Sequence, residues 1–400
     1  MTKNLIYSTS LVLVLIFSSC QSKENKVDFV TKNVQLADAQ YRLHIDLIDA
    51  SGKVLNPRTV ENGKIKYISP QDWTSGFFAG SLWYLYELTG DEFWKGKAIR
   101  QTEALDTVQY LTWHHDVGFM IGNSFGNGIR FGGMENWKKI VVQTAKSLST
   151  RFRPGAGIIQ SWNVDRGWQS ERGWACPVII DNMMNLELLF NATEFSGDSS
   201  FYKIAVSHAD KTLEHHFRTD NSSWHVVDYN PENGEIRGRY TAQGYADETA
   251  WARGQAWALY GYTITYRETG DKKYLKQAQN IFEFIANNPR LPEDGIPYWD
   301  FDAPKIPNEP RDASAAAIIA SALYEMSTYE RPDYYKGWAD KIVNSLASPA
   351  YHANQGENGN FILMHSVGSI PHNAEIDVPL NYADYYFLEA LSRKSKLEKP

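Results

Sequence analysis

The chain has almost no cysteine. Only Cys20 and Cys176 occur in 400 residues. Cys20 sits in a leader-like stretch, which leaves Cys176 alone, so an internal disulfide and a cysteine-based zinc site are both excluded. Positive charge is in deficit too: 40 Lys and Arg face 47 Asp and Glu, a formal net charge of −7. Such a surface does not hold nucleic acid by neutralising phosphates, and an anionic substrate would need a local cationic pocket. Beyond the first residues no apolar run is long enough to cross a bilayer. His-Glu-x-x-His is absent, and the pair His114-His115 has no evident third ligand, so neither a metal nor another cofactor is expected.

The N-terminus stands apart. Lys3 precedes the short apolar core Leu11 to Phe17, and Phe17-Ser18-Ser19-Cys20 follows. This resembles a bacterial lipoprotein signal, in which the cysteine becomes the lipidated first residue. The expected organisation is a signal over 1–19, a lipidated Cys20 with its tether over 20–35, and a single catalytic domain over 36–400. Removing 1–19 deletes Lys3 and takes the charge from −7 to −8. The tether lacks an acidic run, which points to the periplasmic face of the cell envelope, with membrane contact through the lipid alone.

What is abundant is aromatic. Phe, Trp and Tyr make up 14% of the chain, with 13 Trp and 23 Tyr. Such rings suit flat, polar-rimmed ligands such as sugars, and equally a large helical core. From Asp72 onward, segments of small and aromatic residues alternate with ordinary amphipathic ones. The first kind covers 73–88, 118–132 (poorly helical by its glycines), 181–195, 249–267, 312–328 and 380–392. Between them, residues such as Tyr274, Ala278, Ile281, Phe282 and Ile285 recur at helical spacing. Three joints, Gly90-Asp91, Gly197-Asp198 and Gly270-Asp271, pair a helix stop with an N-cap. Spacings of roughly sixty to seventy residues leave room for a helix pair plus loops. The expected fold is all-α, an (α/α)6 barrel of six hairpins with a few short strands in loops; an open helical solenoid is the alternative. The stretch 222–229 reads as a short strand before a turn at 230–234, and the long loops 290–311 and 348–379 would wall a central cleft.

One carboxylate is placed where a soluble protein avoids one. Asp181 follows Val178-Ile179-Ile180 and opens a predicted helix. Burial raises its pKa and a helix N-terminus lowers it, which suits a group that both gives and takes a proton near neutral pH. Asp116 lies in similar company, with His115 beside it to donate a hydrogen bond. Around 242–255, Gln243, Trp251 and Arg253 offer an amide, an indole and a guanidinium. Arg253 suits a bidentate grip on a carboxylate, or a structural pair with Asp247 or Glu248; Trp251 and Trp73 suit sugar faces. Together these suggest a pocket for an acidic sugar, although Asp181 read alone is also a plausible N-cap.

The blocks Trp73-Thr74-Ser75-Gly76-Phe77, His115-Asp116-Val117-Gly118-Phe119, Asp181-Asn182-Met183-Met184-Asn185 and Gln243-Gly244-Tyr245 through Trp257 resemble the unsaturated glucuronyl hydrolases, glycoside hydrolase family eighty-eight. The likeness extends to Glu375-Ile376-Asp377-Val378 and to Tyr382 through Tyr386. It implies an (α/α)6 barrel that acts on oligosaccharides left by polysaccharide lyases, with Asp181 as the acid/base carboxylate and Asp116 as a second essential one. It puts His225, Gln243, Trp251 and Arg253 on pocket positions and Trp73 on an aromatic wall. One departure is Ala242, where many relatives carry His before the Gln. From the place and polarity of the loop 365–372, Ser366 and Ser369 are expected to touch the sugar and govern sulfate tolerance. The competing readings are an unsaturated rhamnogalacturonyl hydrolase on the same barrel and a lipoprotein that only binds oligosaccharide.

Overall fold

The computed structural model describes residues 28–399; the expected signal and Cys20 lie outside the described residues. Among the described residues there are twelve α-helices: α1 (Phe29–Ser51), α2 (Ser75–Thr89), α3 (Glu92–Glu103), α4 (Asn127–Gly132), α5 (Lys138–Ser149), α6 (Leu186–Ser196), α7 (Ser199–His215), α8 (Ala252–Thr269), α9 (Lys272–Asn287), α10 (Ala313–Met326), α11 (Pro332–Leu346) and α12 (Asn381–Glu398). None is long and apolar enough to cross a membrane.

Packing orders them as two rings. In the inner one, α2 meets the segment 118–132, which meets α6; then come α8, α10 and α12, and α12 returns to α2. Outside lie α3, α5, α7, α9 and α11, with α1 filling the seam between α12 and α2. This is an (α/α)6 barrel. Inner helices touch neighbours on every side, so α10 is buried at every position, which explains its alanines. Outer helices bury one stripe: α9 buries Tyr274, Ala278, Ile281, Phe282 and Ile285. At the three Gly-Asp joints the glycine is left-handed and the aspartate side chain accepts from the amide two residues on.

Two expectations need correction. The boundary at 35/36 falls inside α1, which starts at Phe29 with Asp28 as its N-cap. Val30, Val34, Ala37, Tyr41, Ile45 and Ile48 form its apolar stripe, so the last residues of the supposed tether begin the sixth outer helix. The glycine-rich segment 118–132 is helical after all, as a π-helix over Gly118–Gly126 that runs into α4. Its start presses on the turn after Asp181: a Cβ on Gly118 would stand 2.5 Å from Asn185 Oδ1, and that same oxygen accepts from the Phe119 amide at 3.0 Å.

Short antiparallel strands dress the mouth of the barrel. They are the hairpin β1 (Asn56–Glu61) with β2 (Lys64–Ile68), the pair β3 (Phe152–Arg153) with β4 (Ile158–Ile159), the sheet β5 (Pro177–Ile179), β6 (Val226–Tyr229) and β7 (Ile236–Tyr240), and the hairpin β8 (Ser366–Ser369) with β9 (Ala374–Val378). In the three-stranded sheet Ile179 pairs with Val226, and Val226 with Tyr240. One edge of that sheet therefore gathers Asp181 after β5, His225 before β6 and Gln243 after β7.

The far end of the barrel, reached by the later turns of the inner segments, is plugged with charge. Arg267 donates to Glu187 at 2.5 Å and to Glu325 at 3.0 Å, Arg130 to Glu187 at 3.1 Å, and Arg393 lies 2.6 Å from Glu325. Tyr84 and Tyr260 donate to Glu389 at 2.7 and 2.8 Å. The gap left beside them is about 20 Å³, room for about one water.

Candidate active site

The mouth carries two adjoining hollows of about 330 and 310 Å³. Trp73, Trp162 and Gln169 line both. The first adds Gln71, Asp72, Trp113, His114, Asp116, Asn163 and Arg166; the second adds Arg58, Trp168, Gln243, Arg253, Gly368, Ser369, His372, Ala374, Glu375 and Tyr382. The result is an aromatic-walled cleft with Asp72, Asp116 and Arg166 in one lobe and Arg58, Arg253 and Glu375 in the other.

Asp181 lies behind both hollows rather than in their lining, 7% exposed, in a turn of 3-10 helix (Ile180–Asn185) that precedes α6. The turn is fastened on three sides. The Ile180 amide donates to the His225 carbonyl at 3.0 Å, Asn182 Nδ2 to the Ile159 carbonyl at 2.8 Å, and Asn185 takes the Phe119 amide. Burial pushes the Asp181 carboxyl up to about 7; the Arg253 guanidinium pulls against that, and the Asp116 charge adds to it. Asp116 behaves oppositely. Burial works to raise it, but His115, His114 and Arg151 outweigh burial and hold it below the usual carboxylate range. One environment thus yields an acid that keeps a large share of its proton at neutral pH beside a carboxylate that is ionised there, a division that suits proton transfer.

His225 is buried, with Nε2 standing 3.8 Å from Asp181 Oδ2. Its Nδ1 accepts the amides of Ala242 and Gln243 at 3.1 and 3.2 Å, and its ring tilts against Trp251 at 4.5 Å between centroids. At Ala242, where many relatives carry His, it is the backbone amide and not the side chain that meets His225. Gln243 lines the second hollow and donates to the Gly368 carbonyl at 3.3 Å.

Several expected contacts are redrawn. Trp73 does form a wall, packed on Phe77, Phe119 and Tyr382. Trp251 does not face the cleft; it immediately precedes α8 and is only 2% exposed, wedged between His225 and the Arg253 guanidinium, which lies 4.5 Å from its ring. Arg253 reaches the second hollow but offers no free fork. It pairs with Asp312 at 3.1 Å, rather than with Asp247 or Glu248, and donates to the carbonyls of Val367 and Gly368. His115 is fully buried behind Asp116, with Nε2 3.3 Å from Oδ1, while His114 takes the place in the wall. Ser369 lines the second hollow and pairs with His372 Nδ1 at 2.7 Å. Ser366 does not reach it: β8 enters the barrel there, tied by the Ala313 amide to the His365 carbonyl, and the serine is wholly buried.

Sequence reasoning passed over Trp162, Trp113, Arg58 and Tyr382. Trp162, Trp168 and Trp174 fall within thirteen positions of irregular chain, a density of indoles that no helical stripe requires, and this was the available signal. Arg58 comes from a surface hairpin. Its approach to Glu375 at 2.5 Å spans more than three hundred residues and left no local trace, although its second partner, Asp72 at 2.7 Å, is near in the chain.

No family model matches the chain. It is 43% identical to the unsaturated glucuronyl hydrolase of Formosa agariphila, over 99% of both chains. It is 45% identical to an unsaturated glucuronyl hydrolase specific for heparin, whose crystal structure superposes with a TM-score of 0.87, over 93% of this chain and 98% of that one. The crystal structure of the unsaturated glucuronyl hydrolase of Bacillus sp. GL1 is 30% identical, with a TM-score of 0.83 over 92% and 97%. By sequence and by the barrel on which these residues meet, the chain belongs to the unsaturated glucuronyl hydrolase family.

Proposed function

We propose that the protein removes the 4,5-unsaturated uronic acid from the non-reducing end of lyase-generated oligosaccharides, with Asp181 as the proton donor and acceptor. The observation that carries this is a buried Asp181 with its pKa pushed up to about 7 beside an ionised Asp116, at the back of a cleft walled by Trp73 and Trp162. Protonated Asp181 gives H⁺ to C4, the C4=C5 electron pair forms the new C–H bond, and positive charge develops on C5 and the ring oxygen. Water bonds to C5 and its proton goes to the Asp181 carboxylate. The hemiketal opens at the C5–ring oxygen bond to a ketone, leaving a hemiacetal at C1 that releases the rest of the oligosaccharide. The anomeric carbon is never attacked, so the carboxylate spacing rule for retention and inversion does not apply. Asp116 holds sugar hydroxyls and raises the proton affinity of Asp181.

Supporting the substrate class are the names of the relatives, one of them specific for heparin. The test is to mix the protein with unsaturated disaccharides from heparin, chondroitin and hyaluronan and to follow the ultraviolet band of the conjugated enol acid. Hydration erases that band. An intact band with every disaccharide in the panel overturns the proposal, whether the protein binds them or not.

The reading extends to Cys20 as the lipidated residue of an envelope-bound enzyme on the periplasmic side. The Leu11–Cys20 pattern supports it. Labelled palmitate fed to an expressing bacterium is expected to mark the wild-type chain in the membrane fraction and to leave Cys20→Ser unmarked; equal labelling overturns the anchor.

A further inference from the structure

Two buried atoms in the site lack any hydrogen-bond partner and face each other: His225 Nε2 and Asp181 Oδ2, 3.8 Å apart. The other nitrogen of the same imidazole is fully committed. Two backbone N–H groups, from Ala242 and Gln243, converge on Nδ1. A nitrogen that accepts cannot carry a proton, so the ring is neutral and its single hydrogen sits on Nε2.

The turn that supplies those amides is itself stiff. Thr241 Oγ1 accepts the Gly244 amide at 2.8 Å and Asp247 accepts the Thr241 amide at 2.8 Å. Asp300 accepts the Tyr245 amide at 2.9 Å and the Thr249 hydroxyl at 2.8 Å. Trp251 and Trp162 enclose the ring at 4.5 and 6.1 Å, so a ring flip would have to displace both.

We propose that His225 is a positioning residue of fixed tautomer, held by the Ala242–Gln243 turn so that its Nε2–H always meets Asp181 at Oδ2 and leaves Oδ1 to carry the exchanging proton. The gap of 3.8 Å closes when the substrate docks, as catalytic hydrogen bonds commonly tighten only in the complex. The assignment of Oδ1 rests on the reading of Asp181 as the proton donor; the tautomer does not.

A donor at Oδ2 stabilises the ionised carboxyl and so opposes the rise caused by burial. The other charges facing the pair are Arg253 from α8 and Asp116 ahead of the π-helix; His115, His216 at the end of α7, and His372 also face the His225 ring. Asp181 must be protonated to act, so activity falls as pH rises through its pKa. Loss of the donor raises that pKa and moves the falling limb to higher pH.

Two variants separate the two ends of the ring. In His225→Asn the Oδ1 can still accept the turn amides, but no group donates to Asp181. In His225→Gln the Nε2 can still donate, but the turn loses its acceptor. The limb of kcat/KM is expected to move up by about half to one pH unit in His225→Asn with KM little changed, and to stay in place in His225→Gln with KM raised. A limb unmoved in His225→Asn, or moved equally in both, overturns the proposal. Nitrogen-15 NMR of histidine-labelled wild-type protein reads the tautomer without turnover. It is expected to show a pyrrole-type Nε2 and an unprotonated Nδ1 from pH 5 to 9, and a proton on Nδ1 anywhere in that range overturns the lock. Should the ultraviolet band persist in the wild type, the reading of function fails while the NMR still decides the tautomer.

Discussion

Arg253 and Asp312 form an ion pair at 3.1 Å with side chains only 1% and 0% exposed. Both charges carry further duties. Asp312 Oδ1 caps α10 through the Ser314 amide, and Arg253 holds the β8 backbone at Val367 and Gly368. Removing one partner strands the other charge in the core, which costs about 3–5 kcal/mol. Asp312→Ala is expected to lower the denaturation midpoint accordingly and to release the β8–β9 hairpin, read as faster amide exchange at 366–369. A midpoint within error of the wild type would contradict this.

The pH profile should be one-sided near neutrality. With Asp181 at about 7, kcat/KM is expected to be level below that value and to fall tenfold per unit above it. Asp116, held low, ionises well before then and limits activity only in strong acid. Rates from pH 4 to 9 check this; a profile that stays level up to pH 9 would remove Asp181 as the acid.

Asp181→Asn is expected to lose about 10²–10⁴-fold in kcat while the fold persists. It should also be more stable, and the gain should depend on pH. Between the unfolded value near 4 and about 7 the folded chain holds a proton that the unfolded chain has released, so stability falls as pH rises, by about 1.4 kcal/mol per unit for one such group. Asn removes that slope. Asp384, also raised to about 7 by burial, contributes equally to both proteins and cancels. The gap in melting temperature between variant and wild type should therefore widen from pH 5 to pH 8; a constant gap would show that Asp181 is not desolvated.

Trp162 and Trp251 predict opposite phenotypes. Trp162 lines both hollows, so Trp162→Ala is expected to raise KM about tenfold or more with little loss of stability. Trp251 is core, so Trp251→Ala should cost about 3–5 kcal/mol of stability. Paired melting curves and Michaelis profiles distinguish them.

The barrel was legible because helix stops, caps and stripes are local signals. Gly90-Asp91 and its two counterparts wrote their joints into adjacent residues. Asp181 stood out because a lone charge follows a β-branched run. What stayed hidden was orientation. Nothing in the neighbourhood of Trp251 says that it turns inward, or that His114 rather than His115 faces the cleft, because those outcomes depend on which partner the fold brings from far along the chain. Arg253 is the clearest case: its guanidinium was legible as a recognition group, and its engagement by Asp312 and by β8 is purely tertiary. The helix α1 was missed although its Asp28 cap and apolar stripe are local signals, because its first turns were assigned to a tether after Cys20.

The arginine–glutamate stopper below the inner ring turns the barrel into a blind well. Cargo enters and departs by one mouth, so a chain cannot be threaded through and cut midway. Only a terminus can be lowered to the bottom, and the released uronic acid must climb out before another oligosaccharide descends.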